Sequence, residues 1–202
     1  MRRVTAIDEA ARVIRAGGVV AIPTDTLYGL AADPFNPDAV QRIFTIKGRP
    51  ADRAVPLVAA DVDQIVTHLG SLSSVGSCLA SRFWPGPLTL VIAAPETLAT
   101  SVSGGRGRVG VRVPAHDVTR RLCRACGRPL TATSANRSGE AAPANPDEVA
   151  RVLGEKIDLL LDAGPTPGGP PSTIVDVGGK EPRLLRAGAI AWDEVRACAR
   201  RA

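Results

Sequence analysis

Two cationic side chains lie two residues apart in the segment Ile46–Pro50, at the end of a predicted helix. Lys47 and Arg49 combine a compact ammonium with a guanidinium fork, and lysine occurs at only two other positions of the chain. Such a pair suits a polyanion such as a triphosphate. Further along, Ser134 and Asn136 follow an apolar strand in a Ser-x-Asn turn, which can offer a hydroxyl, an amide and backbone N–H groups to the same ligand. Taken alone, both motifs are equally typical of a solvated helix end and an ordinary turn.

The composition predicts a globular protein that prefers anionic ligands. The chain has 202 residues, of which 45% are hydrophobic and only 3% aromatic, so its core must be aliphatic. We expect a single domain over residues 1–202. A formal net charge of +5 favours nucleotide, phosphate or RNA as ligand, although solvated arginines would give the same value. The scarcity of aromatic rings argues against single-stranded nucleic-acid binding by base stacking.

The cysteines and the apolar runs indicate a cytoplasmic protein. Cys123 and Cys126 share a predicted helix with no second cysteine pair and no nearby histidine, so we interpret the thiols as small buried apolar groups. The opening residues lack the pattern of a signal peptide, and no apolar run approaches membrane-spanning length. We therefore expect a reducing cytoplasm and no membrane contact.

Helical and strand patterns alternate along the chain, which predicts an α/β fold. Several connections are too short for crossovers, so the sheet should be mixed. The predicted helices are 5–16, with a Thr5/Asp8 capping box, 36–47, 61–69, 73–83, 116–126, 146–153 and 192–201. The predicted strands are 19–22, 55–59, 88–93, 109–113, 130–133, 159–161, 173–177 and 183–186. The glycine-rich residues 101–107 are predicted to be a connector.

Familiar catalytic motifs are missing from the sequence. Neither of the two histidines lies near a Gly-x-Ser-x-Gly elbow, which argues against a Ser-His hydrolase. A Walker loop is excluded because Gly179–Lys180 is followed by Glu181.

Five segments, in order along nearly the whole chain, resemble the YrdC-type threonylcarbamoyl-AMP synthases. Each segment is a weak signal alone, but the ordered set is specific. The segments are Val20–Leu30, Lys47–Pro50, Gly110–Pro114, Thr133–Gly139 and Ser172–Asp176.

The resemblance implies a twisted mixed β-sheet flanked by helices, with a basic concave cavity. It also implies a reaction in which L-threonine, bicarbonate (or CO2) and ATP give threonylcarbamoyl-AMP and pyrophosphate. A separate transferase would then pass the threonylcarbamoyl group to an adenosine beside the anticodon of tRNA. Mg²⁺ would be held mainly by the nucleotide, because no carboxylate cluster predicts a protein-built metal site.

The same resemblance assigns roles to individual residues. Lys47 and Arg49 are the expected catalytic residues, and Lys47 should face the ligand, so alanine there should reduce turnover with little loss of stability. Arg112 should pair with the threonine carboxylate as a bidentate fork. The residues expected to bind ATP are Lys47, Arg49, Arg53, Ser134, Asn136 and Arg186. Those expected to bind threonine are Thr26, Arg112 and Ser172.

The sequence departs from the family pattern in two places. Longer relatives carry a histidine after the Lys-x-Arg motif, whereas residues 53–60 contain none, which leaves the details of threonine binding open. The chain also ends near the end of the expected catalytic domain, so we expect any lid over the cavity to come from its own loops.

Two other functions remain open from the sequence. Double-stranded RNA or tRNA could bind the same basic concavity without any synthase activity, since shape-and-phosphate binding needs only arranged cations. Thr26 and Ser172 distinguish the two functions, because RNA binding requires no threonine pocket. A carbamoyl-adenylate domain of the hydrogenase-maturation kind ranks last, since the chain lacks the length and the cysteine pairs that such proteins carry.

Overall fold

The computed structural model describes residues 1–50 and 52–201, and it has a mixed α/β architecture. Its helices are α1 (Ile7–Arg15), α2 (Pro37–Lys47), α3 (Val62–Leu69), α4 (Ser74–Phe83), α5 (Thr100–Ser103), α6 (Asp117–Cys126), α7 (Pro146–Leu153) and α8 (Trp192–Ala199). Its strands are β1 (Arg2–Val4), β2 (Val20–Ile22), β3 (Gly29–Ala31), β4 (Leu57–Val58), β5 (Leu88–Ala93), β6 (Arg108–Arg112), β7 (Leu130–Thr131), β8 (Thr133–Ser134), β9 (Leu159–Leu161), β10 (Thr173–Asp176) and β11 (Arg183–Arg186). Within the described ranges, no helix has both the length and the apolar character needed to span a bilayer.

The first sheet has the strand order β1-β9-β2-β3-β8 and is covered on both faces. Strands β1, β9 and β2 run parallel, while β3 is antiparallel to both of its neighbours. Val20 and Ile22 of β2 pack with α1 and α6 residues in one core cluster. Ala21, between them, packs in a different cluster with α2 and α7 residues. Alternation along a strand therefore directs successive side chains into two separate cores.

The second sheet has the strand order β11-β10-β5-β6-β4-β7, and its two faces differ in chemistry. Leu88, Leu90 and Ile92 of β5 point into a core that also holds α4 and α8 residues. Thr89 and Val91, which alternate with them, line an open cavity on the opposite face. The sheet is thus buried on one side and leaves the other available for a ligand.

A short segment connects the two sheets. β7 pairs with β4 of the second sheet, and β8, which begins two residues after β7 ends, pairs with β3 of the first. The Ala132 N–H donates to the carbonyl of Pro56 at 2.8 Å, and the Thr131 N–H donates to that of Ala32 at 3.1 Å. Residues 130–134 therefore pass from one sheet to the other and place Ser134 at the junction.

Helix α2 ends where local sequence chemistry predicts. The side chain of Asn36 accepts hydrogen bonds from the backbone N–H groups of Asp38 and Ala39, and Pro37 occupies the first turn. Gly48 ends the helix in the left-handed region at φ 58°, which glycine adopts without steric cost. The backbone can therefore turn immediately after Lys47.

The α/β class and most predicted elements are confirmed, but three expectations are wrong. The strands form two sheets where one was expected, because predicted strand 130–133 divides between them. Helix α1 begins at Ile7 with Ala6 at its cap and no side-chain capping bond, so the Thr5/Asp8 capping box does not form. The predicted connector 101–107 contains part of α5, and β1 and β3 were not predicted.

Candidate functional site

A cavity of about 570 Å³ lies between the open face of the second sheet and the junction with the first. Six of the predicted site residues line it: Thr26, Arg49, Arg112, Ser134, Ser172 and Arg186. Lys47, Arg53 and Asn136 do not belong to its described lining. The structure therefore brings together the predicted threonine group and part of the predicted ATP group.

Three arginines provide the charge of the cavity. Arg49, Arg112 and Arg186 line it, and no described residue of the lining is a carboxylate. Burial lowers the pKa of all three guanidinium groups, which nevertheless remain charged at neutral pH. A concave site whose charged side chains are all positive attracts anions, and the low-dielectric protein around it strengthens that attraction relative to open solvent.

Arg112 is held from behind by Asp25. The Arg112 Nη1 atom lies 3.5 Å from Asp25 Oδ2, and the two side chains are only 11% and 12% exposed. The other carboxylate oxygen accepts a hydrogen bond from the backbone N–H of His116 at 3.0 Å. Burial lowers the pKa of His116, so this imidazole adds no charge at neutral pH. Asp25 was not predicted as a site residue, and it does not belong to the described lining of the cavity.

Ser172 lies at the centre of a second polar cluster in the cavity wall. Its hydroxyl is 2.8 Å from the hydroxyl of Thr89 and accepts a hydrogen bond from Arg186 Nη2 at 3.0 Å. Arg186 also donates to the Ser172 carbonyl, from Nη2 at 2.8 Å and from Nε at 3.1 Å. The guanidinium of Arg186 is therefore fixed in orientation. Thr89 was missed in the sequence because it lies in the middle of a strand with no motif around it.

Thr26 lies on a turn that Thr24 organises. The Thr24 hydroxyl donates to the carbonyl of Leu27 at 2.7 Å, which closes the turn locally. The Gly168 N–H donates to the Thr26 carbonyl at 3.0 Å, so the loop after β9 braces the turn from the far side. These bonds leave the Thr26 hydroxyl at the cavity wall.

Arg49 connects the edge of the cavity to the segment between the sheets. Its Nη2 donates to the Ala54 carbonyl at 2.9 Å, and its Nη1 lies 3.4 Å from the Thr133 hydroxyl. Arg53 is exposed and does not line the cavity, but its charge contributes to the lowered pKa of Arg49. The structure thus places Arg53 within electrostatic range of the site and not at its wall.

Lys47, which was expected to face a ligand, is not among the described residues that line the cavity, and its side chain is buried against the Ser-x-Asn turn. Only 4% of it is exposed, and its ammonium donates to the Ser134 and Asn136 carbonyls at 2.5 and 2.9 Å and to Asn136 Oδ1 at 3.0 Å. Asn136 Oδ1 in turn accepts the Ser134 hydroxyl at 2.6 Å. Lys47 therefore fixes the Ser-x-Asn turn from inside, and Asn136, at 7% exposure, belongs to the same buried network.

The burial of Lys47 predicts a pH dependence of stability. Burial, with a smaller contribution from Arg49, lowers the pKa of Lys47 from its ordinary 10.5 to about 8. Between these pH values the unfolded chain binds more protons than the folded one, so this group makes stability rise with pH. The difference in unfolding free energy between the parent protein and Lys47→Met should therefore grow from pH 8 to pH 10. A constant difference would contradict the lowered pKa.

Gly110 keeps the floor of the cavity open. A Cβ atom there would lie 3.1 Å from the Thr89 methyl group and would occupy space beside Arg112. We expect Gly110→Val to weaken binding of any ligand that reaches Arg112 at least about tenfold by filling this space. Because the Thr89 side chain must shift to accommodate the new Cβ atom, the unfolding temperature should fall by about 2–4 °C. The matched control is Ala93→Val, at an exposed position of the neighbouring strand β5. Equal ligand affinities for the two variants would show that the floor is not part of the site.

Comparison with known proteins identifies the family. The Sua5/YciO/YrdC family model, described as "Telomere recombination", matches residues 12–188. This chain belongs to the Sua5/YciO/YrdC family. The resemblance seen in the five sequence segments is thereby confirmed.

Two curated relatives within the Sua5/YciO/YrdC family differ in length. The Threonylcarbamoyl-AMP synthase of Pyrococcus abyssi is 40% identical over 92% of this chain, but the match spans only 55% of that protein. The Threonylcarbamoyl-AMP synthase of Vibrio vulnificus is 37% identical over 92% of this chain and is covered over its full length. The chain thus spans little more than half of the longer relative and matches the shorter one throughout.

A solved Sua5/YciO/YrdC structure supports the fold of this chain. P. abyssi Sua5, solved in complex with L-threonine, superposes with a TM-score of 0.90 at 38% identity. The match covers 98% of this chain and 59% of that one. The overall fold of this chain therefore agrees with that of a family member solved with L-threonine bound.

No protein-built metal site is evident in this family member. Within residues 1–50 and 52–201, no group of three or more His, Cys, Asp or Glu side chains is arranged to hold a metal ion. Cationic side chains therefore provide the positive charge along the described cavity wall.

Proposed function

We propose that this chain is an ATP-dependent L-threonylcarbamoyladenylate synthase, a nucleotidyltransferase. It would join L-threonine, bicarbonate (or CO2) and ATP into threonylcarbamoyl-AMP and release pyrophosphate. The product is the precursor for N6-threonylcarbamoyladenosine in tRNA. Relatives that carry the name threonylcarbamoyl-AMP synthase, and the L-threonine complex of P. abyssi Sua5, support the assignment.

One observation carries the proposal: three guanidinium groups and the hydroxyls of Thr26 and Ser172 share one cavity whose described lining has no carboxylate. Each substrate is an anion or carries a carboxylate, and the reaction concentrates negative charge on the α-phosphate. A volume of about 570 Å³ is in the range of small-molecule sites and is small for a nucleic-acid duplex. The cavity therefore favours the synthase over an RNA-binding relative without activity.

The proposed chemistry is mainly one of positioning. Arg112 would hold the threonine carboxylate as a fork, with Thr26 and Ser172 as hydroxyl partners. The threonine amine would attack the one-carbon electrophile, and the resulting carbamate would attack the α-phosphate of ATP. Arg49 and Arg186 would stabilise the charge that develops there while pyrophosphate leaves. Ser134, at the exposed end of the turn fixed by Lys47, would contact nucleotide oxygens.

Several parts of the function remain predictions. We expect Mg²⁺ to be held mainly by the nucleotide phosphates, since arginines form the wall. We also expect a separate transferase to receive the product, direct tRNA contact to be an optional property of the basic surface, and the protein to work in the cytoplasm as one domain over residues 1–202. In the absence of the histidine found in longer relatives, we expect Thr26, Arg112 and Ser172 to recognise threonine.

The decisive test is pyrophosphate release from ATP by the purified protein with L-threonine and bicarbonate omitted in turn. The synthase requires both co-substrates, so release should fall to background when either is missing. L-Serine, which lacks the threonine methyl group, provides a matched substrate control. Absence of release together with tight, salt-sensitive binding of duplex RNA would overturn the proposal in favour of the RNA-binding alternative.

A further inference from the structure

Two of the four cysteines lie against each other in the helices that cover the core face of the second sheet. The cavity lies on the opposite face of that sheet. The Sγ atoms of Cys78 in α4 and Cys198 in α8 are 3.1 Å apart. Each thiol also lies near the backbone carbonyl of the other residue, at 3.3 Å from Cys78 Sγ and 3.5 Å from Cys198 Sγ. A disulfide bond is about 2.05 Å long, so the two sulfur atoms need to approach by only about 1 Å.

The other two cysteines differ in exposure and chemistry. Cys123 is 0% and Cys126 is 6% exposed, whereas Cys78 and Cys198 are both half-buried and reachable from solvent. Burial raises the pKa of Cys126 to about 11 and that of Cys123 still further, which keeps these thiols protonated and inert. The interpretation of Cys123 and Cys126 as small buried apolar thiols therefore agrees with their burial, whereas Cys78 and Cys198 are partly exposed.

We propose that Cys78 and Cys198 form a thiol–disulfide modification site that links α4 to α8 on oxidation. A peroxide is the oxidant: one thiolate attacks a peroxide oxygen and gives a sulfenic acid with release of hydroxide. The second thiol attacks that sulfur, the S–S bond forms and water leaves. Two thiols and one hydrogen peroxide thus give one disulfide and two waters.

The surroundings favour a disulfide over a metal site. Two thiols are too few ligands for a structural metal ion. Among the described residues, no three or more His, Cys, Asp or Glu side chains lie close enough together to hold one. Burial and the adjacent Cys78 raise the pKa of Cys198 to about 11, so this residue is a thiol at neutral pH. Reaction should therefore take hours with millimolar peroxide and not occur during ordinary handling.

The disulfide would restrain the segment that follows strand β11, whose Arg186 lines the cavity. Strand β11, with Arg186, is the edge strand beside β10, and only residues 187–191 separate it from α8. Within that segment, Ile190 exchanges hydrogen bonds with the Thr173 hydroxyl at 2.7 and 3.0 Å. A Cys78–Cys198 bond would close a loop of well over a hundred residues, and long loops lose the most unfolded-state entropy when closed.

The test uses the full chain and does not depend on its enzymatic activity. Purified protein is treated with hydrogen peroxide at neutral pH and analysed by intact mass, by thiol counting after denaturation and by peptide mapping. We expect a loss of about 2 Da and of two thiols, a Cys78–Cys198 cross-linked peptide, and an unfolding temperature raised by about 5–10 °C and restored by dithiothreitol. The cross-link must form in the folded protein, so oxidation is completed before the protein is denatured and digested.

Cys78→Ser and Cys198→Ser provide matched controls. The unfolding temperature of each variant should lie within about 3 °C of that of the parent protein in its reduced form. Neither variant should form an intramolecular cross-link. Oxidation of the parent to sulfinic acid with a gain of about 32 Da, or linkage through Cys123 or Cys126, would overturn the site. A Cys78–Cys198 bond that leaves the unfolding temperature unchanged would show that the bond does not stabilise the folded protein.

Discussion

Replacing Lys47 with methionine is expected to destabilise the protein by about 3 kcal/mol and to lower kcat/KM about 100-fold. Methionine has a similar length but cannot donate, so the carbonyls of Ser134 and Asn136 lose their buried donor. Leaving buried acceptors without a partner costs about 1–3 kcal/mol. The activity falls because Ser134 is then no longer held at the cavity wall, and a shift of about 1 Å at a substrate contact has an effect of this size.

The measurements are chemical denaturation and steady-state pyrophosphate release. Lys156→Met is the matched control, because that lysine is exposed and lies far along the chain from the Ser-x-Asn turn. Its stability should change by less than about 0.5 kcal/mol. If Lys47→Met loses turnover while its unfolding curve is unchanged, Lys47 contacts the ligand after all, and the buried network does not describe its role.

Replacing Arg112 with lysine is expected to raise the KM for L-threonine about 100-fold and to change the KM for ATP less than about threefold. Lysine retains the charge beside Asp25 but cannot form two parallel hydrogen bonds with a carboxylate. A loss of about 2–3 kcal/mol in binding corresponds to this change in KM. Because the charge is retained, we expect little change in stability.

Arg112→Ala should instead lower the free energy of unfolding by about 3–5 kcal/mol, since it leaves the Asp25 carboxylate buried without its partner. The variant should therefore unfold at a much lower denaturant concentration. Combining it with Asp25→Asn should restore much of that stability but not the threonine affinity. Arg106→Lys, at an exposed position, controls for the chemical change. If Arg112→Lys leaves the KM for threonine unchanged and raises the KM for ATP, the prediction is wrong and Arg112 binds the nucleotide.

Local sequence chemistry was enough to predict elements whose ends are set by neighbouring residues. Asn36, Pro37 and Gly48 mark both ends of α2 by capping, a fixed φ and a left-handed turn, and the structure confirms both ends. Strand β1 was missed because two of its three residues are exposed and its partner β9 lies more than 150 residues away. Pairing at that separation leaves no local pattern.

Six of the nine residues predicted for the site line the cavity, and the other three do not belong to its described lining. The ordered motifs identified six residues that line the cavity, because residue type and strand order were enough to group them. Lys47 was assigned to the ligand from its charge and the family resemblance, whereas in the structure the Ser134–Asn136 turn covers it. Asp25 was not assigned from the sequence, and only the structure shows that it pairs with Arg112, which lies far from it along the chain.

The segment at residues 130–134 has a mechanical consequence. Because β7 is hydrogen-bonded to one sheet and β8 to the other, the two walls cannot separate like the halves of a hinged shell without breaking backbone hydrogen bonds. Backbone hydrogen bonds therefore hold the frame of the site together, and we expect any ligand to enter and leave through movement of the loops at its rim. Of these, the loop after β9 is the one already attached to the Thr26 turn.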